Sequence, residues 1–195
     1  SNRGYVRRRR IMLEVSLPAV TVMAEILMGL LMVNPLHSIN YTEMHEEVYC
    51  LAINSYHEAR GEGFDDKLAT AQVVMNRVDS HKFPDDICEV ITAGPIRESW
   101  KTRQHRDLDP LERVYYPARH KCQFSWYCDG RSDSMHNLDG WEDSVVAAFL
   151  VYTGFGEDIV SGATHYYAHD RVSPSWAERM EVTVKLKGHT YLKEN

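Results

Sequence analysis

The sequence predicts an α+β fold that is mostly helical, with small antiparallel β elements, and three observations lead to this prediction. Apolar residues recur at three- and four-residue steps along 42–60, 65–80 and 141–153, which is typical of amphipathic helices. Residues 182–186 alternate between apolar and polar, and a turn at Gly188 would pair them with the following residues as a hairpin. The chain has 195 residues, of which 44% are apolar and 26% charged, so we expect one domain with a core.

The helix predicted over 42–60 has a defined start and end. Thr42 can serve as its N-cap, glutamates in its first turn suit the positive end of the helix dipole, and Gly61 can end it. Its apolar stripe finishes on a carboxylate. Glu58 lies seven residues after Leu51 and therefore projects from nearly the same face of the helix.

A carboxylate on an apolar face is an energetically expensive placement. Loss of water raises the pKa of a carboxyl group, and a raised pKa suits a proton donor that works near neutral pH. The alternative is structural, with Glu58 in a buried ion pair with Arg60 or Arg77. The residue pattern alone is equally compatible with both interpretations.

Shorter elements are predicted along the rest of the chain. The second helix starts at residue 65 or 66, and a third, short helix starts near Pro84, where proline fits a first turn. Residues 94–121 are polar and irregular, and we expect a long loop or insertion over the functional site. Strands are predicted over 122–127 and 164–167.

The first 40 residues form a separate segment in this prediction, and residues 41–195 form the folded body. Four arginines at 7–10 precede an apolar run at 15–33, as in a signal peptide or signal anchor. No small-residue cleavage motif follows, so we expect residues 11–33 to associate with a membrane as a weak anchor. Glu25 within the run would cost about 2.5–3.5 kcal/mol on insertion scales. A helix packed on the domain or on a sister chain is therefore the alternative.

The charge distribution and the cysteine content limit which classes of partner and which cellular compartment we expect for this protein. The whole chain has a net charge of −6 and residues 1–33 have a net charge of +3, so residues 34–195 have a net charge of −9. This acidic body argues against nucleic acid as a partner, because binding of phosphates needs a basic surface. The four cysteines include no CxxC pair, which argues against a zinc ribbon or a thioredoxin-like site. Three full disulfide pairings are open, and disulfides would require a compartment outside the cytoplasm. A buried free thiol is an equal alternative for Cys50.

Several separate blocks of sequence, in a fixed order, resemble one known family. The block HEARGEGFDDKLATAQVVMNRV (57–78) resembles the SleB-type cell-wall hydrolases, which include spore-cortex-lytic enzymes and many phage or bacterial lysins. Further agreement comes from Phe83-Pro84 with ICEV (87–90), CQFSWYCDG (122–130), GATHYYAHD (162–170), Trp176 and KGHTY (187–191). The resemblance covers residues 46–192, and this sequence departs from it by a longer and more charged stretch at 94–121.

The resemblance implies a lysozyme-like fold and cleavage of peptidoglycan between N-acetylmuramic acid and N-acetylglucosamine, by a lytic transglycosylase or a muramidase. It implies that Glu58 is the catalytic acid and needs no metal or cofactor. The expected substrate-binding residues, which combine aromatic faces with fixed polar groups, are Ser125, Trp126, Thr164, His165, Tyr166 and Trp176. Three further residues, Glu62, Arg60 and Asn76, are expected to support the site.

A peptidoglycan substrate implies a location outside the cytoplasm, in the periplasm or the cell wall. A membrane-held phage lysin, a bacterial wall remodeller and a virion-borne enzyme that opens the wall are all compatible with such a chain. The sequence does not rank these three settings.

Two other functions are compatible with the same residues. A zinc-dependent wall amidase or peptidase would draw its ligands from His57, His165, His169 and His189, with Glu58 beside them. The HExxH motif is absent, however, because Ala59, Arg60 and Gly61 follow His57-Glu58, and scattered histidines are usually not ligands. The second alternative is a non-catalytic wall-binding or virion structural protein of the same fold.

Overall fold

The computed structural model describes residues 46–195, and both the predicted membrane segment and the predicted N-cap Thr42 lie outside them. No helix within the described range is long and apolar enough to cross a bilayer.

The α-helices, α1 to α5, span Glu46–Glu58, Phe64–Val78, Ile87–Thr92, Trp100–Arg103 and Leu138–Thr153. The strands, β1 to β5, span Ile96–Glu98, Tyr115–Pro117, His165–Ala168, Glu181–Lys185 and His189–Lys193. Single 3-10 turns span Pro110–Glu112, Ser125–Cys128 and Ser175–Arg179. The predicted α+β class, mostly helical with small antiparallel sheets, is confirmed.

Three helices, α1, α2 and α5, pack against one another around the larger of two apolar cores. Leu51 of α1 is fully buried there, together with Val74 of α2 and Trp141 of α5. α5 begins earlier than the predicted residue 141, because the Asn137 side chain accepts a hydrogen bond from the backbone N–H of Gly140 at 3.2 Å and caps the helix.

A three-stranded antiparallel sheet covers the other side of α2. Its strand order is β3-β5-β4, so β5, the last element of the chain, lies in the middle. Tyr191 of β5 pairs with Tyr166 of β3 and packs with Ala69 and Val73 of α2 in the second apolar core. The predicted hairpin is β4 and β5, with Gly188 in the turn between them.

The strand predicted over 122–127 is wrong, and a disulfide bond explains why. Residues Ser125–Cys128 form a 3-10 turn, and Cys122 bonds Cys128 with a Cα–Cα distance of 6.1 Å. Six residues of extended strand would separate these ends by roughly 20 Å. The cross-link therefore requires the chain to curl at this point.

The insertion at 94–121 contains regular secondary structure where a loop was predicted, and it lies away from the candidate active site. It holds the two-stranded sheet of β1 and β2, with α4 between them, and Arg113 donates to Glu98 Oε1 at 2.7 Å to tie the hairpin together. None of the residues 94–121 lines the large cleft described below. The expectation that the insertion covers the functional site is therefore wrong.

The cysteines form two disulfides, Cys50–Cys88 and Cys122–Cys128. The first joins α1 to α3 across 38 positions of sequence. The free-thiol alternative for Cys50 is wrong, since no cysteine of residues 46–195, which hold all four, is free.

Candidate active site

A large cleft, of about 890 Å³, opens where the end of α1 meets the three-stranded sheet. The described residues that line it come from the α1–α2 turn, the 3-10 turn at 125–128, the loop at 129–133, β3 with the residues after it, and the start of β5. A groove of this size can hold a polymer segment or a drug-sized ligand.

Glu58 is the last residue of α1, and its side chain is partly buried at the wall of this cleft. Tyr166 of β3 donates its phenolic O–H to Glu58 Oε2 at 3.0 Å. Burial raises the pKa of Glu58, while the hydrogen bond from Tyr166 and the positive charge of Arg77 oppose the rise. Glu58 therefore holds its proton to a higher pH than an ordinary glutamate does.

Tyr166 is suited to remain a donor to Glu58. Burial and the neighbouring negative charge of Glu58 raise the pKa of the Tyr166 phenol well above its ordinary range. The phenol therefore keeps its proton at physiological pH. Because that proton is directed at Oε2, the tyrosine fixes the orientation of the carboxyl group and leaves Oε1 for another partner.

Arg77 of α2 is the cation behind the carboxyl group. It is 6% exposed, its Nε donates to the carbonyl oxygen of Thr164 at 2.7 Å, and its guanidinium lies 5.1 Å from the ring centre of Phe83 and 5.0 Å from that of Phe124. Its Nη1 has no hydrogen-bond partner among the described residues. The predicted alternative of a direct ion pair between Glu58 and Arg77 or Arg60 is not formed within residues 46–195, although the charge of Arg77 still acts on Glu58.

Trp126 and His57 form an aromatic wall beside Glu58. Their rings stack with centres 4.7 Å apart and an interplanar angle of 18°, and Trp126 Nε1 donates to Asn54 Oδ1 at 2.9 Å. Burial lowers the pKa of His57, and the nearby positive charge of Arg60 lowers it further. A neutral imidazole stacked on an indole offers an uncharged flat surface to a sugar ring.

Charged groups surround the rest of the cleft. Acidic residues from the loop after the 3-10 turn and from the end of β3 line it, as do exposed arginines; these residues are Asp129, Asp133, Asp170, Arg131 and Arg171. No sequence pattern places Arg131 and Asp133 at the site, because they lie in an irregular loop without periodicity. Such a mixed rim suits a polar ligand rather than an apolar one.

The predicted site residues divide into two groups in the structure. Glu58, Ser125, Trp126 and Tyr166 line the cleft, and so do Arg60 and Glu62. The residues that line it do not include Thr164, His165, Trp176 and Asn76.

Three residues of the second group make contacts away from the cleft. Side chains alternate along β3, so His165 faces away from Tyr166 and packs between Trp176, at 5.7 Å, and Phe83, at 6.1 Å. Asn76 has a structural contact, because its Nδ2 donates to the carbonyl oxygen of Ala163 at 2.9 Å.

Sequence reasoning missed one buried pair at the cleft. His189 Nδ1 lies 3.1 Å from Asp66 Oδ1, and both side chains are almost fully buried. The two residues are 123 positions apart, so no local pattern brings them together. The KGHTY block was the one available signal for His189.

The histidines proposed for a zinc site are dispersed. Within residues 46–195, no group of three or more histidine, cysteine, aspartate or glutamate side chains is arranged to hold a metal ion. His57 stacks on Trp126, His165 packs on Trp176, and His189 bonds Asp66.

Comparison with known proteins identifies the family to which this α+β chain with its polar cleft belongs. A family model described as Cell Wall Hydrolase matches residues 61–192, so the chain belongs to this family and the predicted resemblance is confirmed. The match begins three positions after Glu58. No curated protein is similar enough in sequence to match.

Two solved structures are similar to this chain, each with 20% sequence identity. One is the catalytic domain of the Bacillus cereus SleB protein, with a TM-score of 0.48, covering 75% of this chain and 89% of that one. The other is the catalytic domain of the germination-specific lytic transglycosylase SleB from Bacillus anthracis, with a TM-score of 0.49, covering 77% of this chain and 98% of that one.

Proposed function

We propose that this cell wall hydrolase cleaves the glycan strand of peptidoglycan as a lytic transglycosylase, with Glu58 as general acid and then general base. The single observation that carries the proposal is the hydrogen-bonded Glu58–Tyr166 pair at the wall of a polar cleft. Burial raises the pKa of Glu58, which keeps a proton available for a leaving oxygen.

The reaction balances with one carboxyl group. Glu58 gives its proton to the glycosidic oxygen as the bond from C1 of N-acetylmuramic acid to that oxygen breaks. The 6-hydroxyl of the same sugar then attacks C1, and its proton returns to the Glu58 carboxylate. The products are a free 4-hydroxyl on N-acetylglucosamine and a 1,6-anhydro end.

Side chains around Glu58 support this sequence of steps. Tyr166 orients the carboxyl group, and the positive charge of Arg77 stabilises the carboxylate that forms after proton transfer. Trp126 and His57 offer a flat surface on which a sugar ring can rest. Ser125 lies on the same side of the cleft and is exposed, so we assign it to substrate contact.

A hydrolytic muramidase is the second candidate, and one observation favours it. Asp129, Asp133 and Asp170 line the same cleft and could activate water in place of the 6-hydroxyl. The two candidates differ in their products, since hydrolysis leaves reducing ends and transglycosylation leaves anhydro ends. A metal-dependent amidase would instead release stem peptides.

Mass spectrometry of digested cell walls tests all three candidates. We expect wild-type protein to release anhydro-muropeptides, with the same yield in the presence of EDTA. Glu58→Gln should keep the fold and lose turnover by about 10²- to 10⁴-fold, the usual contribution of general acid-base catalysis. The matched control is Glu157→Gln, an exposed glutamate outside the cleft lining, which should retain full activity.

Three outcomes would contradict the proposal. Wild-type lysis by Glu58→Gln would remove the acid from the mechanism. Reducing ends would replace transglycosylation by hydrolysis, and free stem peptides with loss of activity in EDTA would replace the glycosidase by a zinc amidase.

The two disulfides support a location outside the cytoplasm, where such bonds persist. We therefore propose the periplasm or cell wall as the site of action. Membrane association through residues 11–33, and a phage, bacterial or virion setting, stay predictions.

A further inference from the structure

The Asp66–His189 pair has a chemical consequence for the cleft. Asp66, in the first turn of α2, is 1% exposed, and His189, the first residue of β5, is 7% exposed. Their contact joins Asp66 Oδ1 to His189 Nδ1 at 3.1 Å. A carboxylate only accepts hydrogen bonds, so the imidazole donates from Nδ1. In the neutral ring, Nε2 is then an acceptor.

The position of His189 directs that acceptor to the site. His189 lines the cleft, and its ring lies edge-on to Tyr166 with 5.3 Å between ring centres. Tyr166 is the residue that bonds Glu58. Among the hydrogen bonds of residues 46–195, none involves His189 Nε2, so this nitrogen is available to a ligand.

The chain next to His189 is held in place by a close contact. A Cβ on Gly188 would come within 2.6 Å of Glu62 Cδ, so the Glu62 side chain packs directly on the glycine backbone. Glu62, in the loop before α2, thus packs on Gly188, and Asp66, in the first turn of α2, holds the imidazole of His189 itself. The imidazole is fixed before any substrate arrives, which lowers the entropic cost of using it.

We propose that His189 is a further substrate-contacting residue of this site, with Nε2 accepting a hydrogen bond from a hydroxyl of the bound glycan and with Asp66 as its positioning residue. The inference rests on the proposed glycan substrate, because a sugar presents the hydroxyl donors that an unprotonated Nε2 requires. It adds a fixed polar contact on the sheet side of the cleft, next to Tyr166.

Two substitutions of His189 separate a substrate contact from a purely structural role. The amide of asparagine falls near the position of Nδ1, so His189→Asn keeps the contact with Asp66 and loses the cleft contact. The amide of glutamine reaches the position of Nε2, so His189→Gln keeps the cleft contact and loses the contact with Asp66.

We expect kcat/KM on soluble glycan chains to fall about tenfold in His189→Asn, the loss of one hydrogen bond, with its melting temperature unchanged. His189→Gln should keep more activity and lose stability. The reverse order would overturn the proposal.

Imidazole ¹⁵N NMR of the full chain gives a readout that a structural role would not move. We expect His189, identified by the signal absent from His189→Gln, in the Nδ1–H form, and an Nε2–H form in the wild type would overturn the proposal. Asp66→Asn can also donate to the ring, so it should populate the Nε2–H form and lower kcat/KM. A changed tautomer with unchanged kcat/KM would also overturn it.

Wild-type digestion separates this inference from the proposed function. If wild-type protein releases no glycan fragments, the proposed function fails, and this inference fails with it. If wild-type protein releases them and His189→Asn is equally active, only the role of His189 fails.

Discussion

Replacing Cys50 and Cys88 together by alanine removes the covalent link between α1, which carries Glu58, and α3. A disulfide stabilises a protein mainly by restricting the unfolded chain, and the restriction grows with the length of the closed loop. The matched control is Cys122→Ala with Cys128→Ala, which opens a much shorter loop. The structure therefore predicts two different losses of stability from the same chemical change.

The loop lengths set the magnitudes. A separation of 38 positions corresponds to about 4 kcal/mol of unfolding free energy in the chain-entropy relation. A separation of 6 positions corresponds to about 2 kcal/mol in the same relation. At roughly 2–4 °C per kcal/mol for a protein of this size, the first pair should lower the melting temperature by roughly 8–16 °C and the second by roughly 4–8 °C.

Urea unfolding of the two double variants, followed by circular dichroism, measures both losses. Mass spectrometry of alkylated wild-type protein verifies first that no thiol is free. Equal losses in the two variants, or a larger loss for the short loop, would refute the reasoning from loop length. Free thiols in the wild type after secretion into an oxidising compartment would refute the pairing itself.

Three further predictions concern the site and the core. Tyr166→Phe removes a hydrogen bond that stabilises the Glu58 carboxylate, so it should raise the pKa of Glu58. Because the acid works only while protonated, the alkaline limb of the pH profile of kcat/KM should move to higher pH. A move to lower pH would contradict the assignment. Trp126→Phe leaves the buried Asn54 Oδ1 without its donor at a cost of about 1–3 kcal/mol, measured by urea unfolding, and an unchanged stability would argue against that contact. Leu51→Ala, at a position 0% exposed, should cost about 2–5 kcal/mol, and a loss below that range would mean that the core of α1 repacks.

Local periodicity in the sequence was enough to predict the three longest helices, α1, α2 and α5, and the position of Glu58. A stripe of apolar residues fixes which face of a helix is buried, and Val48, Leu51 and Ser55 are buried as the stripe requires. Glu58 continues that stripe to the edge of the core, where it meets the cleft. The hairpin of β4 and β5 follows from the same kind of local rule, with period two.

Features that depend on distant contacts could not be predicted in this way. The strand wrongly predicted over 122–127 has apolar and aromatic residues typical of a strand, but the Cys122–Cys128 bond overrides that preference. The pairing of Asp66 with His189 requires α2 and β5 to be adjacent, which the sequence does not indicate. The insertion at 94–121 folds on itself as a hairpin, so its length and charge did not reveal where it lies.

The central place of β5 in its sheet determines when the enzyme becomes competent during synthesis. Glu58 leaves the ribosome before Tyr166, and Tyr166 is held by pairing with the later strand β5, which ends at Lys193. A nascent chain that stops before β5 therefore has its acid and lacks the partner that orients it. The carboxyl group therefore gains its orienting partner only after β5 has been synthesised and has paired with β3.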